Sequence, residues 1–244
     1  MNYQNCKILC TLQHKDEPLI SKIPCDEYTQ LAQSYFDYEF VGESKFYPYK
    51  LPKILDEIDY KSLVITGRSG AGKSQLLREF PFFYKKIKKY DNSKSVISNF
   101  DFTDKEDCMD RLASVGLSTV PTWCRPRNVL SVGEGFRADL ALNIQSEMCF
   151  DEFTSTVDRN VAISTVIGVK KYIEKHNLKK VVLCSCHKDF IDYLEPDIVI
   201  DLDDEKVYDC RGVSLKKESS CLSMRSQTTQ KKKTSGNYLG SIII

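Results

Sequence analysis

The stretch Gly67-Arg68-Ser69-Gly70-Ala71-Gly72-Lys73-Ser74 follows the apolar run SLVIT at 62–66 and matches G-x-x-x-x-G-K-S at every fixed position. Each residue type has a phosphate-directed reason to be there. Glycines let backbone N–H groups turn toward an anion, and the start of a helix adds its positive end. The Lys73 ammonium reaches the β and γ phosphates, and the Ser74 hydroxyl can ligate Mg²⁺. A chance glycine turn accounts for the glycines but not for a strand before them and a helix after them.

Other chemistry-bearing residues stand at the ends of apolar runs. EMCF (147–150) ends in Asp151-Glu152, where one carboxylate can hold a metal through water and its neighbour can orient or deprotonate an attacking water. By themselves two acids there are more readily explained as helix caps, and the phosphate loop is what gives them a chemical reading. KVVLCSC (180–186) ends in His187. A lone histidine is usually structural, but a parallel sheet gathers its ligand-binding residues at the carboxyl ends of its strands. In LSVGEGFRADL (130–140), Ser131 can cap a helix and Gly133 permits close backbone approach, which makes a second helix-start anion site.

The elements that must position these residues alternate. Strands are expected at KILCTL, 62–66, 95–100, 147–150 and 180–186, with a last pair at DIVIDL and KVYDC. Helices are expected near 26–36, from Lys73 to Phe80 ahead of Pro81, near 104–115, over 132–146 where Phe136, Leu140 and Ile144 recur at helical spacing, and near 159–176. VPTWCRPR (120–127) reads as a loop. The alternation predicts an α/β fold of the P-loop NTPase type, a mainly parallel sheet flanked by helices, preceded by a β-rich N-terminal part.

Taken in order, these motifs resemble the ATP-binding cassette (ABC) ATPases. LSVGEGFRADLA is similar to the LSGGQ signature and lies between the phosphate loop and the Asp-Glu strand; Ser155-Thr156-Val157-Asp158 resembles the D-loop, and His187 the switch histidine. The resemblance spans about residues 60–200. It implies that Lys73 and the amides of Gly67, Arg68, Ser69, Gly70, Ala71 and Gly72 bind the phosphates of ATP. It further implies that Ser74 and Asp151 hold Mg²⁺, that Glu152 is the catalytic base, and that His187 contacts the γ-phosphate. Ser131 and Gly133 would complete the site of an opposing subunit in an ATP-dependent homodimer, and Asp158 would help join the halves. An aromatic of FYPY (46–49), namely Phe46, Tyr47 or Tyr49, would stack on adenine.

Three departures bear on function. Val132 and Glu134 replace a glycine and the glutamine of the signature. No glutamine lies between Gln75 and Gln145, leaving Asn99 or Asp101 as substitutes for the family's Q-loop residue. Only about 101–129 is available for the helical subdomain, which is therefore abbreviated. Transporter cassettes grip their membrane partners with that subdomain and the Q-loop, so a soluble ATPase acting as a switch or motor is favoured over the ATP-binding subunit of a transporter. A P-loop kinase acting on a small acceptor would explain GRSGAGKS but leave the signature and D-loop unexplained. The compact cassette also resembles soluble cassette proteins carried by bacterial mobile elements and phages.

Composition sets the remaining bounds. At 244 residues and 41% apolar content the chain can bury a substantial core. Lys+Arg 35 against Asp+Glu 34 leaves +1, so nucleic acid would have to meet a local patch such as YKKIKKY (84–90). The absence of an 18-residue apolar run and of a leader-like start predicts a cytoplasmic protein without membrane insertion. The 10 cysteines lack paired C-x2-C spacing and read as reduced and mostly buried. The cassette is expected over 1–211, with a solvated Ser/Lys-rich tail over 212–244.

Overall fold

The three most continuous apolar runs in the motif region become the central strands of one sheet. The computed structural model describes residues 3–83, 87–101 and 104–213. In chain order these form β1 (Lys7–Thr11), β2 (Leu19–Lys22), α1 (Glu27–Phe36), β3 (Glu43–Phe46), α2 (Ile54–Glu57), β4 (Ser62–Thr66) and α3 (Lys73–Leu77). There follow α4 (Lys105–Ser114), α5 (Val120–Trp123), α6 (Val132–Asn143), β5 (Met148–Phe150), α7 (Arg159–Lys175), β6 (Val181–Ser185), α8 (Ile191–Leu194), β7 (Ile198–Asp201) and β8 (Lys206–Asp209).

The main sheet has the order β1-β8-β7-β4-β6-β5. Its centre is parallel: β4 pairs with both β6 and β7, and β6 with β5. β8 and β1 close one side antiparallel. Every residue of β4, β6 and β7 is buried, because helices cover both faces and leave no polar side. Val64, Val181, Leu183 and Val199 face one core with Val166 and Val169 of α7 and Leu140 of α6; Leu63, Ile65, Val182 and Ile200 face the other with Leu76 and Leu77 of α3. Register sets Thr66 opposite both Ser185 and Asp201, so the carboxyl ends of these strands form one edge.

Three expectations are revised. Residues 95–100 form no strand: Ile97–Asn99 is a 3-10 turn. Asn99 accepts from Asp91 N (2.7 Å) and donates to Ser95 O (2.8 Å), while the Ser95 and Ser98 hydroxyls pair at 2.6 Å. Such local side-chain bonds give the backbone an alternative to a ladder. Within 120–127, Val120–Trp123 is one helical turn with Pro121 in its first positions, where a missing N–H costs nothing. The helix after the phosphate loop ends at Leu77 rather than Phe80.

The N-terminal part is the β-rich unit expected. β2 and β3 form a separate hairpin, and Asp26 opens α1 with a capping box to Thr29. None of the α1 residues is buried: Tyr28, Tyr35 and Phe36 are 81%, 74% and 80% exposed. The abbreviated helical part is α4 and α5, with α4 against α6 and α7. Among the described residues no helix is long and apolar enough to cross a membrane. Of YKKIKKY, residues 84–86 lie outside the described residues, while Lys88 and Lys89 are exposed. Of the expected tail, all but Gly212 and Val213 lies outside them.

Candidate active site

The phosphate loop leaves β4 at Gly67 and enters α3 at Lys73. Gly70 and Gly72 have φ of 79° and 93°, a left-handed conformation that side chains resist. At Gly72 a Cβ would also come within 2.6 Å of the Phe46 ring, so the loop lies flat against that ring only because the side chain is absent. Lys73 Nζ donates to Gly67 O (2.9 Å) and Arg68 O (2.8 Å), folding the ammonium over the loop. The loop is held from behind, where Asp203 Oδ1 accepts from Arg68 N at 2.9 Å.

A cavity of about 400 Å³ opens at this edge, lined among others by Gly72, Lys73, Ser74, Asp151, Glu152 and Ser185. Asp151 follows β5 directly, and its Oδ1 accepts from Glu152 N at 2.9 Å. Glu152 has φ 49° and Thr154 φ 69°, conformations costing about 1–3 kcal/mol each for residues other than glycine. Phe153 holds this turn in place: it is fully buried, and its N–H donates to Cys184 O at 2.7 Å. The turn therefore swings Glu152 into the cavity while Phe153 anchors it. Burial and the Asp151 charge push the neighbouring Cys184 thiol far up, so it stays protonated beside the carboxylates.

Ser74 and Asp151 both line this cavity and carry oxygen donors, a set that suits Mg²⁺, and among the described residues no cluster of three His, Cys, Asp or Glu is placed to hold a metal by itself. A small hard cation shared with substrate phosphates needs only such a donor set.

The other predicted residues lie outside this cavity. His187 comes two residues past β6; its N–H donates to Ser185 Oγ at 3.1 Å, and it is Cys186 before it that lines the space. Ser131 caps α6 in a capping box: its Oγ accepts from Glu134 N (3.3 Å) and donates to Glu134 Oε2 (2.8 Å). Those bonds hold the Glu134 carboxyl below its usual range. The chain's own carboxylate thus sits on the second anion site. A Cβ on Gly133 would meet Val157 Cγ1 at 3.2 Å, so signature helix and 153–158 turn touch within one chain. Asp158 caps α7 through Asn160 N (3.0 Å) and Val161 N (3.1 Å). Asn99 is spent on its own loop, and neither it nor Asp101 lines the cavity.

Among the aromatics, burial separates what composition could not. Tyr49 is buried, stacked on His14 at 4.2 Å, and donates to Glu205 at 3.0 Å. Tyr47 is exposed. Phe46 lines the phosphate cavity and a second one of about 640 Å³ bounded by His14, Arg68 and Asp203. Residues that motif reading passed over also belong here. Ser155 and Cys186 line the cavity; Lys188 bonds Asp201 (2.9 Å) and Asp203 (3.0 Å) behind it.

A sheet of this order with a glycine loop at its carboxyl edge has the α/β fold of the P-loop NTPase type. More narrowly, the fold is that of the ABC cassette. It is similar to a dimeric post-hydrolysis state of the ATP-binding cassette MJ0796 bound to ADP and Pi, at 14% identity and a TM-score of 0.51, over 82% of this chain and 99% of that one. Dimeric MJ0796, described as a bacterial ABC transporter cassette, aligns over the same shares at 14% identity and a TM-score of 0.49. No family model matches the chain, and no curated protein matches it.

Proposed function

We propose that this chain binds Mg²⁺-ATP in the phosphate cavity and hydrolyses it at a head-to-tail interface between two copies, as a switch or motor. The observation that carries the reading is the convergence of Lys73, Ser74, Asp151 and Glu152 on one cavity at the carboxyl edge of a parallel sheet. Lys73 leaves its loop carbonyls to meet the β and γ phosphates, and the purine rests against Phe46. Glu152 orients the water and takes its proton. Mg²⁺, held by Ser74 and Asp151, would supply charge neutralisation at the phosphates. Ser131 and Gly133, absent from the chain's own cavity, are available to a partner's nucleotide, and Asp158 stands beside them at the joint. The likeness to a dimeric cassette in fold supports this arrangement.

A monomeric kinase would use the loop equally well but gives the placement of α6 no purpose. The distinguishing experiment is sedimentation of Glu152→Gln, which keeps binding and loses turnover by at least about 10²-fold if it removes a general base. It should be a dimer with Mg²⁺-ATP and a monomer or weaker dimer without it, because nucleotide buried between copies shifts association by mass action. A monomer under both conditions would remove the dimer mechanism.

A further inference from the structure

The segment after β6 reads His187-Lys188-Asp189-Phe190, and its last three side chains each engage a different part of the site. Lys188 Nζ bonds Asp201 Oδ2 (2.9 Å) and Asp203 Oδ2 (3.0 Å). Asp201 is fully buried and also accepts from Tyr3 Oη at 2.5 Å; Asp203 holds Arg68 N at the start of the phosphate loop. Burial disfavours the Lys188 charge, yet its two carboxylate bonds outweigh that and raise its pKa. Asp189 Oδ2 pairs with Nη2 of Arg159, the first residue of α7 after the Asp158 cap. Phe190 is fully buried and meets Phe153 edge-on at 5.5 Å; Phe153 meets Phe136 of α6 at 6.2 Å. His187 itself has no side-chain hydrogen bond or ion pair to another described residue. The polar contact given for His187 is its backbone N–H to Ser185 Oγ at 3.1 Å, whereas each of the three residues after it is anchored by its side chain.

We propose that Lys188, Asp189 and Arg159 are positioning residues: they register His187 against the phosphate loop on one side and against the 153–158 turn on the other. For its catalytic consequence the proposal rests on the ATPase reading together with the γ-phosphate contact that the cassette resemblance implies for His187; the coupling itself rests on neither. Phe190 fixes the depth of the segment, and the two ion pairs fix its rotation. The two side chains are about half exposed as a whole, but the Arg159 Nη atoms themselves are shielded from solvent, so the position of His187 and not the melting temperature is the deciding measurement. Movement of the turn when a second copy docks would then reach the imidazole through Arg159.

The chain has only 3 histidines, so the His187 Cε1–H resonance is assignable by comparison with His187→Gln. Arg159→Met and Asp189→Asn should each shift it, leaving His14 and His176 in place. In kinetics, each should lower kcat by about 10- to 100-fold, the scale of an ångström-level misplacement, with KM changed by less than about threefold. The double exchange Arg159→Asp with Asp189→Arg should recover most of the loss, and Lys188→Arg should keep what Lys188→Met loses. An unmoved His187 resonance in both single variants, or an exchange no better than the sum of its parts, overturns the proposal. A parent protein without ATP turnover would instead overturn the ATPase reading, and the resonance shifts would still decide the coupling.

Discussion

The carboxyl edge of the sheet and the N-terminal unit of β2, α1 and β3 treat their apolar side chains oppositely. At the edge, Phe153 and Phe190 are fully buried, and the strained turn carrying Glu152 closes over them. In the N-terminal unit α1 buries nothing and the strands of the hairpin are almost wholly exposed. The two regions meet where the Phe46 ring at the end of β3 lies on Gly72. A site that must hold a carboxylate within hydrogen-bond reach of water needs packing to fix its geometry. In the reading proposed above, the N-terminal unit needs only to present Phe46, and for that a hairpin suffices.

The sharpest way to test this contrast is to remove the anchor of the strained turn. Phe153→Ala should destabilise by about 3–5 kcal/mol, the cost of emptying an aromatic site in a core, and should release the left-handed conformations at Glu152 and Thr154. Thermal or denaturant unfolding reads the first, and loss of turnover beyond the loss of folded protein reads the second. If Phe153→Ala unfolds no more easily than the parent, the edge is not the rigid partner in the comparison.

A smaller effect is expected at the start of α6. Ser131→Ala removes one cap and should cost about 1 kcal/mol, with nucleotide affinity of the isolated monomer unchanged because Ser131 is outside the cavity. The acidic occupant of that helix start makes a second measurement informative. Glu134→Gln keeps the reach of the capping side chain while removing its negative charge from a place that a partner's γ-phosphate would approach. Like charges there oppose association, so the substitution should tighten ATP-linked dimerisation in sedimentation. Weaker association would mean that the carboxylate serves the joint rather than opposing it.

Much of the edge was legible because spacing and strand ends are local facts. GRSGAGKS, the Asp-Glu after MCF and the Ser131 cap all sit within a few residues of the elements that position them. What escaped reading was long-range or decided by burial. Tyr3 and Asp201 are 198 positions apart, and no pattern in either neighbourhood announces their bond. Phe46, Tyr47 and Tyr49 are equivalent as letters, and only packing sends Tyr49 to His14 and leaves Phe46 over the loop. The strand expected at 95–100 failed because its serines and asparagine bond their own backbone, which an apolar count ignores. His187 lies two residues past β6, and the contacts of the three residues after it depend on partners in other elements.

The smallest predicted effect breaks or secures the other half of the comparison. Tyr35→Ser and Phe36→Ser remove two aromatics that are 74% and 80% exposed on α1. Each ring carries roughly 150–250 Å² of apolar surface, but surface already in water on both sides of the folding equilibrium contributes little to it, so each change should stay within about 0.5 kcal/mol of the parent in a dilute monomer. Their effect on the nucleotide cavity should be similarly small, since both rings point into solvent and neither lines the cavity. The measurement is denaturant unfolding of the two variants at low protein concentration, repeated at high concentration. A cost near that of Phe153→Ala at low concentration would mean that α1 is packed against something within its own chain and that the contrast is false. A cost that appears only at high concentration would mean that the exposed face is covered by another copy, and it would move the N-terminal unit from the free surface of the molecule into its association.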